Sequence, residues 1–147
     1  MVRKYQLYLI EDEFAAHYFG RERMFFQLFQ EYEASNGELK QITKKQIAYI
    51  TKHLQILKIH QLIQKQLGKI RGFKSEHGTY TIELSGKLST ATLEVHENRV
   101  LIEANGSYEA ETAFFEVLRK CESSFLAVDL ENERFGWLKP IKERKFV

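Results

Sequence analysis

Of the residues able to do acid–base or metal chemistry, five are histidines: His17, His53, His60, His77 and His96. Imidazole titrates near neutrality and ligates metals, so clustered histidines would point to a proton relay or a metal site. Their spacing does not bring them together. His53 and His60, seven apart on one helical face, would stand roughly 10 Å from each other at 1.5 Å per residue, too far to share an ion. Cys121 is the only cysteine. It falls on the apolar stripe of a helical segment and reads as a core thiol, with no second cysteine for a disulfide or a thiolate cage. No Gly-rich phosphate loop, Gly-x-Ser-x-Gly elbow or His-Glu-x-x-His pair occurs, so no nucleotide-binding, hydrolase or metalloprotease motif is present. The turn Asn105-Gly106-Ser107 is explained by a strand-to-helix connection.

Two other groupings suit binding. Phe14 and Tyr18 stand one helical turn apart amid Glu11, Asp12, Glu13 and Arg21, and large amphipathic rings with a charged rim are enriched at protein interfaces. Composition alone, with 11 Phe and 7 Tyr, favours reading the same rings as core residues. The second grouping is electrostatic. Residues 39–75 hold nine bases (Lys40, Lys44, Lys45, Lys52, Lys58, Lys65, Lys69, Arg71, Lys74) and no acid, while residues 76–133 hold twelve acids, although the net charge is only +2. This asymmetry fits either a polyanion-binding surface or a solvated helical face balanced by acidic strands. With the tail residues Lys139, Lys142, Arg144 and Lys145, the basic stretch could contact phosphates. Its interleaved Leu and Ile build a core, however, and offer no aromatic stacking positions.

The elements that must position these residues follow from periodicity. Residues 3–10 alternate as a strand. Glu11, Asp12 and Glu13 favour a helix start, and Gly20 a stop, giving a short helix over 12–19. Phe25, Leu28, Phe29 and Tyr32 define a helix over 21–33. After the turn-like Ser35-Asn36-Gly37, Thr43-Lys44-Lys45-Gln46 matches a capping box and predicts a helix starting near Thr43. Ile59, Ile63 and Leu67 predict another over 57–67. Period-two alternation then gives three antiparallel strands between 78 and 104. A helix over 107–121 follows, capped by Ser107, and then a hairpin of 125–130 with 134–138, closed by Pro140. The tail should pack through Ile141 and Phe146. The prediction is an α+β fold in one domain spanning 1–147, with the N-terminal strand and the C-terminal strands in an antiparallel sheet packed against several helices. At 147 residues the chain has the length of one domain. No apolar run approaches a membrane span and no signal peptide precedes the first strand, so a cytosolic protein is expected.

Two blocks of the chain are recognisable as they stand. Tyr8-Leu9-Ile10, Glu13-Phe14-Ala15, His17-Tyr18-Phe19-Gly20-Arg21-Glu22 and Leu28-Phe29-Gln30 form the first. Tyr108-Glu109-Ala110-Glu111-Thr112, Phe114 to Lys120, Phe125-Leu126-Ala127, Gly136-Trp137-Leu138, Pro140, Lys142-Glu143-Arg144 and Phe146-Val147 form the second, with Lys45-Gln46-Ile47 and Tyr49-Ile50-Thr51 between them. Together they resemble the sporulation inhibitor of replication (SirA) family at both ends of the chain and in order, while the middle, roughly 53 to 105, departs from that pattern. The resemblance implies a non-catalytic protein without cofactor or metal. Such a protein restrains chromosome replication at the onset of sporulation by binding the N-terminal domain of the initiator DnaA. It implies a partner surface of Phe14, Tyr18 and Gln46; around them we expect Ala15 beside the aromatic pair and Glu11, Lys44 and Lys45 at the rim, and no direct contact with DNA, membrane or a small-molecule substrate. A nucleic-acid-binding regulator using residues 39–75 is the alternative.

Overall fold

The structure is a computed structural model describing residues 2–86 and 88–141. In chain order it contains β1 (Val2–Leu9), α1 (Asp12–His17), α2 (Arg23–Ala34), α3 (Gly37–Ile50), α4 (Ile56–Leu67), β2 (Phe73–Glu76), β3 (Thr79–Leu84), β4 (Ser89–Val95), β5 (Val100–Gly106), α5 (Glu109–Cys121), β6 (Phe125–Asp129) and β7 (Arg134–Trp137). The strands form one seven-stranded sheet in the order β2-β3-β4-β5-β1-β6-β7. Every neighbouring pair is antiparallel.

Helices cover this sheet on both faces. On one face Leu7, Leu9, Ile82, Leu93, Ile102 and Phe125 pack against Ile59, Ile63 and Leu67 of α4 and Ala110, Phe114, Val117 and Leu118 of α5. On the other, Tyr8, Ile10, Leu126 and Val128 pack against Ala15, Phe25, Phe26, Phe29 and Ile47 of α1 to α3. This explains why β1 is apolar on both sides from Leu7 onward: a strand buried on both faces loses the polar half of its alternation. The second face is left uncovered over β2 to β5, where Thr81, Thr92, Glu94 and Glu103 stand at positions alternating with the core residues. The antiparallel α+β architecture is therefore as expected, but with helices on both faces of the sheet.

Four local expectations are corrected. Helix α3 begins at Gly37, a full turn and more before Thr43, because Glu38-Leu39-Lys40-Gln41 are good helix formers. Thr43 lies inside it, buried, its hydroxyl donating back to the carbonyls of Leu39 (3.1 Å) and Lys40 (3.0 Å), so the capping box does not exist. Strand β2 was not foreseen. It is a short sheet edge with one half-buried residue, Phe73, joined to β3 by His77 and Gly78, both with positive φ as a two-residue hairpin turn requires. Helix α5 is not capped by Ser107. The Ser89 hydroxyl of β4 accepts the Ala110 amide (2.9 Å) and donates to the Ser107 carbonyl (2.6 Å), a cap supplied from another element. His53 precedes α4 and so shares no helix face with His60, whose Nδ1 lies 2.6 Å from the Tyr80 hydroxyl.

Cys121 is buried at the end of the α5 stripe, and burial pushes its thiol pKa up, as befits a core thiol. Ile141 packs against the second core; Phe146, Lys142, Arg144 and Lys145 lie outside the described residues. No helix among the described residues is long and apolar enough to cross a membrane.

Gly106 closes β5 where the chain presses on the β3–β4 connection. Its φ is +81° and a Cβ there would stand 1.9 Å from the Leu88 carbonyl oxygen. Gly106→Ala is therefore expected to cost about 1–3 kcal/mol of stability, read as a lowered urea midpoint at unchanged slope.

Candidate partner-binding surface

A six-residue helix cannot hold itself together in water, so α1 depends on what it is fastened to. Its start is fastened to the end of α3. Ile10 bridges Thr51, the Glu11 amide donates to the Ile50 carbonyl (2.8 Å), and the Lys52 amide donates to the Leu9 carbonyl (2.8 Å). Lys52 Nζ, half-buried, also reaches the exposed Asp12 carboxylate at 3.0 Å. Ala15 is 1% exposed and turns inward, so it seats the helix and presents no surface of its own.

That seating leaves Phe14 and Tyr18 half-buried. One side of each ring belongs to the second core. The Phe14 ring centroid lies 5.3 Å from that of Tyr49, a residue of α3 that is 75% exposed. Tyr18 meets Phe25 edge-to-face at 5.5 Å, Phe25 meets Trp137 at 6.2 Å, and the Arg21 guanidinium sits 5.1 Å from the Tyr18 ring centre. Both aromatics are thus held from behind, Tyr18 by Phe25 and Phe14 by the second core, while keeping an outer side in solvent. An anchor fixed in this way gives up little side-chain entropy when a partner covers it.

Helix α3 supplies the rest of the surface. Ile42, Lys45, Gln46 and Tyr49, at i, i+3, i+4 and i+7, are all exposed, whereas Thr43 and Ile47 are buried. Gln46 therefore sits between two exposed apolar residues, one turn before the tyrosine that touches Phe14. Because α3 has no side-chain cap, Gln46 is released from the dual duty that a capping box would impose. Gln46→Ala is accordingly expected to leave the melting temperature within about 1 °C, while weakening partner binding by about 1 kcal/mol, checked by thermal unfolding and titration.

Among the rim residues, Lys45 shares the Gln46 face and Glu11 lies at the N-terminal boundary of α1. Lys44 does not share it. It lines a separate cleft with Tyr32, His53 and Arg99, about 200° around the helix from Gln46 by the 100° step per residue. Tyr49 is the residue that sequence reasoning passed over, although its spacing from Ile42 and Gln46 was readable once the helix was known to start before Thr43. The arrangement offers apolar area, ring edges and an amide, the chemistry of a protein contact. No group of three metal-ligating side chains comes together among the described residues.

The family profile described as "Sporulation inhibitor of replication protein SirA" matches residues 3–142. The chain belongs to the SirA family. A SirA protein of Bacillus subtilis (strain 168), bearing the same description, is 47% identical over 149 residues that take in the whole of both chains. The SirA match spans residues 53–105 as well, so α4 and strands β2 to β5 fall within it even though no familiar block was visible there. Of the residues that the SirA resemblance singled out, Phe14, Tyr18, Gln46 and Lys45 border one continuous face of α1 and α3, joined by Tyr49.

Proposed function

We propose that this protein is a non-catalytic inhibitor of replication initiation during early sporulation, acting in the cytoplasm as one unit by binding the N-terminal domain of the initiator DnaA. Membership of the SirA family supports the role of replication inhibitor. The DnaA domain as partner follows from the family resemblance carried by Phe14, Tyr18 and Gln46. The observation that carries the reading is the ring contact of half-buried Phe14 with exposed Tyr49, which joins α1 and α3 into a single apolar face next to Gln46. In this mechanism Phe14, Tyr18 and Tyr49 fill an apolar depression on DnaA and Gln46 donates or accepts an orienting hydrogen bond. Lys45 and Glu11 set the register from the rim, so the bulk of the inhibitor occludes that surface of the initiator.

A DNA-binding role through residues 39–75 is the weaker reading, because α3 and α4 cover opposite faces of the sheet. The nine bases between them do not make one stripe along which a phosphate backbone could run. Size-exclusion chromatography of the protein mixed with DnaA N-terminal domain tests the proposal: a co-eluting complex is expected. The isolated protein is expected to show no retention of duplex DNA at near-physiological salt. DNA retention with a steep salt dependence and no co-elution would replace this reading with the DNA-binding one.

A further inference from the structure

The bases of residues 39–75 that lie off the partner surface have a second destination. Lys44, Lys52 and His53 from that stretch converge with Arg99 on a cleft of about 460 Å³ between α3, the turn that follows it and the β4–β5 hairpin. Its other lining includes Tyr8, Tyr32, Ile47 and Ala48, and its one acid is Glu97. Of the three permanently charged groups, two are engaged from outside: Lys52 by Asp12 at 3.0 Å and Arg99 by Glu33 at 3.2 Å. Lys44 and His53 have no ion-pair partner among the described residues.

Arg99 is held in place. Its Nη1 donates to Gln6 Oε1 (2.8 Å), the Tyr8 hydroxyl (3.3 Å) and Glu33 Oε1 (3.2 Å), and Tyr8 is itself buried and stacked on Phe29 at 3.9 Å. All three bonds use one nitrogen, leaving Nε and Nη2 with no protein acceptor among the described residues. A guanidinium fixed at one corner with unused donors, in a cleft that an ammonium and an imidazole also line, is a ready receptor for an oxyanion with several acceptor oxygens. The volume falls within the range of roughly 300–1,000 Å³ typical of small-ligand sites and far exceeds what one inorganic phosphate fills. Ile47, Ala48 and the Tyr32 ring offer an apolar wall for the remainder of a ligand.

We propose that this cleft binds a phosphorylated small molecule of mononucleotide size, its phosphate held by Lys44, His53 and Arg99 and its ring portion against Ile47, Ala48 and Tyr32. The site lies on a different side of α3 from Gln46, so it stands or falls independently of the partner surface. The test is an NMR titration of the full-length protein with ADP, with adenosine, with inorganic phosphate and with a single-stranded oligonucleotide of eight bases. The expected result is saturable shifts from ADP at the amides of Ala48, Thr51, His53, Asn98 and Arg99, none from adenosine, and weaker binding of inorganic phosphate. Lys44→Glu and His53→Glu, both at exposed positions, should each weaken ADP about tenfold or more, because each removes a donor to the phosphate and puts a carboxylate against it. Lys65→Glu, the same charge change on α4, should leave it within about twofold. Four results overturn the proposal: no saturation with ADP, inorganic phosphate binding as tightly as ADP, equal loss in Lys65→Glu and Lys44→Glu, or binding confined to the oligonucleotide.

Discussion

Phe14→Ala is expected to weaken binding to the DnaA N-terminal domain by about 2 kcal/mol or more, and Tyr18→Ala by a similar amount, which is roughly thirtyfold in affinity. Phe14 stands against Tyr49 and Tyr18 is backed by Phe25, so truncation removes an anchor whose orientation is already restrained. Part of the effect is structural, since both rings also touch the second core. The two contributions separate in a double-mutant cycle. Tyr49→Ala is 75% exposed and should cost little stability, yet combined with Phe14→Ala it should show a coupling energy in binding of about 0.5 kcal/mol or more, because the rings are in contact. Strictly additive losses would mean that Tyr49 lies outside the contact.

The largest effect on stability is expected at the opposite face of the sheet. Arg3 on β1 and Glu111 on α5 form a buried ion pair, the Arg3 Nε lying 3.2 and 3.1 Å from the two carboxylate oxygens. Arg3 Nη2 also bonds Glu111 and reaches the Ser107 carbonyl at 3.3 Å, and the Tyr108 ring centre lies 4.4 Å from the guanidinium. Glu111→Ala would strand a buried positive charge, at a cost of about 3–5 kcal/mol, a large share of an ordinary domain's stability. Replacing both partners, Arg3→Met with Glu111→Leu, should cost much less than either single change, since no unpaired charge remains. Urea unfolding at neutral pH measures both. Below the unfolding transition Glu111→Ala should bind DnaA as the unaltered protein does, because the pair lies on the α5 side of the sheet and the partner surface on the other.

Much of this fold was legible because its signals were local. The stripe from Ala110 to Cys121 and the alternations of Tyr80-Ile82, Ala91-Leu93 and Val100-Ile102 all mark buried faces in the structure. What escaped was set by distant parts of the chain or by mimicry. Thr43 and Gln46 imitate a capping box, which hid the first turn and a half of α3 and with it the exposed face of Ile42, Gln46 and Tyr49. Ser89 caps a helix twenty residues downstream, which no sequence window reveals. Strand β2 carries Lys74, Ser75 and Glu76 and is set by its pairing with β3, by Phe73 against the first core and by the Gln64 amide donating to Ser75. For the site, helical spacing paired Phe14 with Tyr18, but only the family resemblance tipped them from core to surface. The structure places them at both, with one side of each ring in each. The acid-free stretch 39–75 was visible as charge. That it divides between two faces of a sheet and a cleft was not, because charge along a chain carries no information about the side on which each helix packs.

The most direct test of the central claim is calorimetric titration of the full-length protein against the DnaA N-terminal domain of the same organism, with Phe14→Ala and Tyr18→Ala as controls whose folding is verified. The account predicts saturable binding by the unaltered protein and its loss in both folded variants. A folded, unaltered protein that releases no heat and forms no complex, or variants that bind as tightly as it does, would contradict it.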